Sequence, residues 1–219
     1  MQSAFDVMAD GEAHQPDSAT LSLLNPLIFP LVPLKVRVPI TVLWRANARL
    51  AQMARAGKER ALRQIKLRWW ADQLTDLAVG EDHPDPLLTS VAHHLLLHVE
   101  SKLLADLTEA WMVSIDAGAG DGNDVGTQLF TITGQLLGCD AASLTVAGRA
   151  WAGVEQRLAA GVDGGWADAQ AQFQHARIHE LPRALAALTG LARRIAVANG
   201  RRAPGREQWT IFKIGLVGR

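Results

Sequence analysis

The chain has 219 residues, 48% of them apolar and 20% charged, and a formal net charge of zero. That composition excludes a disordered chain and supplies one sizeable core, while the missing cationic excess argues against nucleic acid as a partner. A single cysteine, Cys139, excludes an internal disulfide and a cysteine-based zinc site, and it fits a reducing compartment such as the cytoplasm.

Leucine and alanine are frequent, tyrosine is absent, and no useful stretch alternates with period two, so the chain reads as all-α. Residues 1–20 carry Asp6, Asp10, Glu12 and Asp17 and no apolar run; they are expected to be a flexible tail and not a secretory signal. Residues 21–219 are expected to form one helical domain. Residues 21–34 are apolar but interrupted by Pro26, Pro30 and Pro33 and followed by Lys35 and Arg37. That run is too short and broken to span a bilayer, and a peripheral membrane contact stays open.

A first helix is predicted from Pro39 to Ala56, ended by Gly57. A second covers Lys58 to Val79, with Leu67, Trp70, Leu74 and Leu77 on one stripe and Leu62, Ile65 and Trp69 on a neighbouring one. Gly80 and Asp82-His83-Pro84-Asp85-Pro86 make a turn. One long helix follows from Pro86 to Ile115, with Leu88, Val91, Leu95, Val99 and Leu103 inward. Asp116 to Asn123 is a loop by composition, and its alternating Gly118, Gly120 and Gly122 match no phosphate-binding pattern. Helices are predicted at 124–138 and 141–160. A last one runs from Trp166 to Val197, with Pro182 kinking or dividing it. The apolar run Trp209 to Val217 has no assigned state.

The stretch Ile65-Lys66-Leu67-Arg68-Trp69-Trp70, with His83-Pro84 after it, resembles the "R-L-x-W-W … H-P" segment of the squalene/phytoene synthase family. The resemblance implies an isoprenoid-synthase-like helical bundle around a central cavity. In that family "A-L-Y-A-F-C-R-x-x-D-D-x-x-D" carries the first metal site. Val42-Leu43-Trp44 match its start, and the aspartate positions are then Ala51, Gln52 and Arg55. No register slip restores them, because residues 35–58 contain no Asp or Glu. The second motif, "G-x-A-x-Q-x-x-N-x-x-R-D-x-x-x-D", begins well at Gly148-Arg149-Ala150, but its later positions are Ala152, Glu155, Ala159 and Asp163.

Magnesium needs oxygen ligands to neutralise a leaving diphosphate. The resemblance therefore implies a retained fold with lost catalysis and no resident cofactor. The helix Leu43-Trp44-Arg45-Ala46-Asn47-Ala48-Arg49-Leu50-Ala51 is similar to "A-L-x-A-F-N-x-E-L-A" in the branch that contains the mitochondrial complex I assembly factor and its bacterial relatives. The expected role is a non-catalytic isoprenoid- or lipid-binding or assembly protein, with a lipid chain or a partner protein as the thing bound. The resemblance assigns Trp44, Asn47, Ala51, Gln135, Arg149, Ala152, Glu155 and Asp163 to the old cavity. Two alternatives stay open: an active, magnesium-dependent prenyltransferase using Glu155 and Asp163, and a purely structural scaffold.

Trp69-Trp70 are expected to pack between helices, with a tunnel wall as the other reading. His94/His98 and His175/His179 each have the i, i+4 spacing of a zinc or copper pair, against a reading as solvated histidines. Arg193, Arg194, Arg201, Arg202 and Arg206 make a basic C-terminal stretch. It reads as a solvated helix end or as a surface for an anionic membrane or partner.

Overall fold

Why the proline-rich segment at 21–36 packs down instead of trailing free is answered by one cation. In the computed structural model, which describes residues 21–117, 123–140 and 142–217, Arg37 reaches back over this segment. Its Nε donates to the Val32 carbonyl at 3.0 Å and its Nη2 to the Pro30 carbonyl at 3.1 Å. The guanidinium also lies 5.5 Å over the Phe29 ring. The segment thereby buries Leu21, Leu23, Ile28 and Val32. The expected tail at 1–20 lies outside the described residues, as do Gly118, Gly120, Asp121 and Gly122.

The elements that follow are helices, and no strand occurs among the described residues. The helices are α1 (Arg37–Arg55), α2 (Arg60–Asp76), α3 (Pro86–Ser90), α4 (Ser101–Ala117) and α5 (Asn123–Leu136). After them come α6 (Ser143–Ala160), α7 (Trp166–Gln172), α8 (Arg183–Val197) and α9 (Pro204–Val217). Neighbours run in the order α2, α4, α5, α6, α8, α9, with α1 lying against α2, α4 and α5. Among the described residues no helix is long and apolar enough to cross a membrane.

The largest departure from the sequence prediction lies in the middle of the chain. The long helix predicted from Pro86 to Ile115 is broken: α3 passes into a wide π turn at Val91–Leu95, where the Leu96 N–H bonds the Val91 carbonyl, and α4 starts only at Ser101. The cause is register. Leu88, Val91, Leu95 and Val99 are buried, and so are Leu104, Leu107 and Trp111, but a five-residue step separates Val99 from Leu104. A continuous helix would rotate the second set off the core. The 166–197 helix is divided, with two short 3₁₀ turns between α7 and α8 and Pro182 immediately before α8. The apolar C-terminal run is helix α9.

Two close approaches fix the bundle. At the α5–α6 crossing, Gly126 and Gly148 let the helices touch backbone to backbone; a Cβ on Gly148 would lie 2.7 Å from the Gly126 carbonyl carbon. On α8, Gly190 receives the Ile214 side chain of α9. The start of α9 is pinned by Glu207, which accepts from Arg202 (2.8 Å) and from the Ala203 N–H (3.0 Å). Burial pushes the Glu207 carboxyl up, but the Arg202 hydrogen bond, the Ala203 N–H and the charges of Arg202 and Arg194 outweigh it, so its pKa sits below the ordinary 4.5.

The sign follows from linkage. This stabilisation is complete above the ordinary glutamate value and is lost as pH falls through the lower, folded value. Glu207→Gln is therefore expected to be less stable than the parent at neutral pH. The gap should close as pH drops below 4.5. Urea unfolding of both chains at neutral and acid pH measures it; a gap that is unchanged in acid would refute the role of the carboxylate.

Candidate functional site

α1, α4 and α6 bring together the positions that the family resemblance marks as metal-binding, and what stands there is an ion pair. Arg55, in the last turn of α1, donates from Nη2 to Glu155 Oε2 of α6 at 2.7 Å. The Glu155 side chain is 7% exposed and that of Arg55 36%. The guanidinium also lies 5.3 Å over the Trp111 ring of α4. Trp111 in turn donates from Nε1 to Asn47 Oδ1 at 3.0 Å. Asn47, Trp111, Arg55 and Glu155 thus form one connected set from three helices, each polar group holding the next.

Beyond this bridge lies a cavity of about 370 Å³. Ala54, Arg55, Arg63, Trp111, Ile115 and Ala159 are among the residues that line it. Arg63 donates from Nη1 to the Ala54 carbonyl at 2.9 Å, and no acceptor meets its buried Nε. The cavity therefore joins apolar walls to two guanidinium groups.

On the other side of the bridge, between α1, α5 and α6, the interior is filled. Trp44 meets Trp151 edge to face at 5.5 Å, and Trp151 meets Phe130 at the same distance. Trp44 Nε1 donates to Thr133 Oγ1 at 3.2 Å.

The eight residues assigned through the resemblance divide sharply. Trp44, Asn47, Ala51, Ala152 and Glu155 are buried in the bundle interior. Gln135, Arg149 and Asp163 are exposed. Gln135 donates to the His98 carbonyl at 3.3 Å, and Asp163 lies past the end of α6, which Gly161 closes in a left-handed conformation at φ 62°. None of the eight lines the cavity itself; Arg55 and Ala159, at two positions where the resemblance would put aspartates, do. Sequence reading had marked Arg55 only as a charge in the wrong place. Arg63 and Trp111 carry no motif, and their roles come from the meeting of α2 and α4 with α1.

The residues present do not fit a magnesium–diphosphate site. Ala51 and Ala159 offer no oxygen, Gln52 is exposed, and the Glu155 carboxylate is engaged by Arg55. Glu155 and Asp163 do not share a helix face, since Asp163 is off the helix. Among the described residues no three His, Cys, Asp or Glu side chains gather to hold a metal. The two histidine pairs lose their helical spacing: His94 and His98 straddle the end of the π turn, His175 and His179 lie in separate 3₁₀ turns, and all four are exposed.

The tryptophan pair is split. Trp70 is buried between helices, while Trp69 is half-exposed, with its edge toward Trp70 and toward His83, each at 6.4 Å. Leu62 and Ile65 are exposed beside it, so the second stripe of α2 faces outward. His83 organises the turn between α2 and α3. Its Nδ1 accepts from the Asp85 N–H at 2.9 Å, which leaves the proton on Nε2 for Gln73 Oε1 at 2.9 Å. The His-Pro feature is thus a structural joint. No protein-family model, no curated protein sequence and no solved structure matches this chain.

Proposed function

We propose that this chain is a squalene/phytoene-synthase-like helical protein without prenyl-transfer activity, and that it acts by binding an isoprenoid or lipid in an assembly role. The observation that carries the reading is the Arg55–Glu155 bridge at 2.7 Å, in which Arg55 stands at a position where that chemistry would require a carboxylate for magnesium. A cation in that position repels a metal ion and consumes the one carboxylate nearby. The adjoining cavity suits a ligand with one anionic group and a short apolar body: Arg63 supplies the charge beside the paired Arg55, and Ala54, Ile115 and Trp111 supply the walls. A second reading, a protein-interaction scaffold, is favoured by the filled Trp44–Trp151–Phe130 interior and the outward stripe of Leu62, Ile65 and Trp69.

Native mass spectrometry with lipid extraction, repeated with farnesyl and geranylgeranyl diphosphate with and without Mg²⁺, separates these. Magnesium-independent binding that Arg63→Ala weakens supports the binding reading. Diphosphate release with a condensed product overturns it, and no ligand at all moves the reading to the scaffold.

The bridge has its own stability signature. Arg55→Ala leaves a buried carboxylate alone and is expected to lose about 2–3 kcal/mol, toward the low end for buried pairs because the guanidinium is partly solvated. The double replacement Arg55→Met/Glu155→Leu should come within about 1 kcal/mol of the parent, since removing both charges removes the desolvation cost as well. Denaturant unfolding reads both. A double variant as damaged as Arg55→Ala would mean that the pair contributes more than mutual neutralisation.

A further inference from the structure

α9 has one face with no partner. Its inner face sets Ile211, Ile214 and Glu207 toward the rest of the protein, Ile214 entering the notch at Gly190. On its outer face Trp209 and Phe212 are 64% and 56% exposed and stack on each other at 5.8 Å. Leu27, 46% exposed, stands beside them, and the group lines an open groove of about 580 Å³. Two large aromatics and a leucine held in water on one surface are unfavourable unless something apolar covers them.

The charge around this face is one-sided. Residues 21–37, which carry the turn at Leu27, hold two cations and no carboxylate. Residues 200–217 carry four cations and one carboxylate, and that one, Glu207, is held by Arg202. Arg206 and Lys213 flank Trp209 by three and four residues on α9, both exposed, and neither joins an ion pair with a described residue. Residues 72–116 are the reverse, with nine carboxylates against the single cation Lys102. They span the end of α2 through α4, at the far end of the succession of neighbours from α9.

We propose that α9 and the turn at Leu27 dock this protein on an anionic phospholipid bilayer. Trp209, Phe212 and Leu27 enter the interfacial region, where aromatic rings with one polar edge are favoured. Arg206 and Lys213 meet the lipid phosphates, while the carboxylate-rich stretch 72–116 lies away from this face. A second copy of the chain is a poorer occupant, because a two-fold contact through this face would bring the cations Arg206 and Lys213 of one copy against those of the other. The proposal does not depend on what the inner cavity holds.

The test is co-sedimentation of the full chain with phosphatidylcholine vesicles and with vesicles that also contain phosphatidylglycerol. Binding is expected only to the anionic vesicles, and it should fall steeply with added salt. Trp209→Ser/Phe212→Ser and Arg206→Glu/Lys213→Glu should each weaken it at least about tenfold, the latter by the loss of two favourable charges. All four side chains are exposed, so an unchanged thermal midpoint certifies each variant as folded. Equal binding to neutral vesicles, no binding, or binding that ignores these variants overturns the proposal. A dimer that Trp209→Ser dissociates assigns the face to a second copy, and binding that appears only after removal of residues 1–20 assigns it to the acidic tail; either result overturns it too.

Discussion

Trp44→Ala is expected to lower stability by about 3–5 kcal/mol, the range for removing a large aromatic from a packed core. The side chain is almost wholly buried, its edge packs on Trp151, and its indole N–H satisfies Thr133. Truncation removes all three contacts at once and leaves a void between α1, α5 and α6. A chain of this size should lose roughly 6–20 °C in melting midpoint. Trp44→Phe keeps most of the packing and drops only the N–H, so a loss of about 1 kcal/mol is expected there. The measurement bears on function as well as folding. The family resemblance assigns Trp44 to a ligand cavity, and a residue that merely lines an open cavity can be truncated cheaply. A loss below about 1 kcal/mol for Trp44→Ala would therefore show that the interior is not filled.

The second large effect is expected at the α5–α6 crossing. Gly148→Val places a branched side chain where only 2.7 Å separates the position of its Cβ from the Gly126 carbonyl carbon and 2.9 Å from the Phe130 Cβ. The obstacle is largely helix backbone, which cannot rotate aside as a long side chain would. Overpacking ordinarily costs about 1–3 kcal/mol, and a backbone clash lies at or above the top of that range. A fall of about 3 kcal/mol or more, or failure to accumulate as folded protein, is the expected result. Gly164→Ala is the control, since nothing lies within 4 Å of its Cβ position and its φ is not in the left-handed region. Circular dichroism melts of the two variants decide the matter; a Gly148→Val chain within about 1 kcal/mol of the parent would mean that α5 and α6 stand further apart. The same contact gives a structural reason for the Gly148-Arg149-Ala150 signature. The glycine is a helix-crossing residue, and Arg149 is exposed.

Which parts of the molecule were legible beforehand follows from which physical signals are local. The helices on either side of Gly57 were, because a proline in the first turn, a glycine stop and the Leu67-Trp70-Leu74-Leu77 stripe all act within a few residues. The break at 91–100 was written only as a five-residue step between Val99 and Leu104, which has meaning once a core exists for both halves to face. Periodicity marks a second apolar stripe on α2, and Leu62, Ile65 and Trp69 on it are exposed. Hydrophobic spacing says that a face is apolar, not that another element arrives to cover it.

Composition and spacing alone specify that the chain is helical, that its helix ends fall near Gly57, Gly80, Gly138 and Gly161, and that residues 35–58 hold no carboxylate. Composition, spacing and the presence of a carboxylate are properties of the chain alone. Only the tertiary structure decided that Arg55 meets Glu155, 100 positions later, that Trp111 lies over the guanidinium, and that Gln135, Arg149 and Asp163 remain outside. It alone set the exposed Trp209 and Phe212 beside Leu27, from the opposite end of the described chain. Such pairings depend on the angles at which whole helices cross. Those angles are fixed by side-chain volumes summed over many residues, by the missing Cβ atoms of Gly126, Gly148 and Gly190 among them, and not by any local pattern.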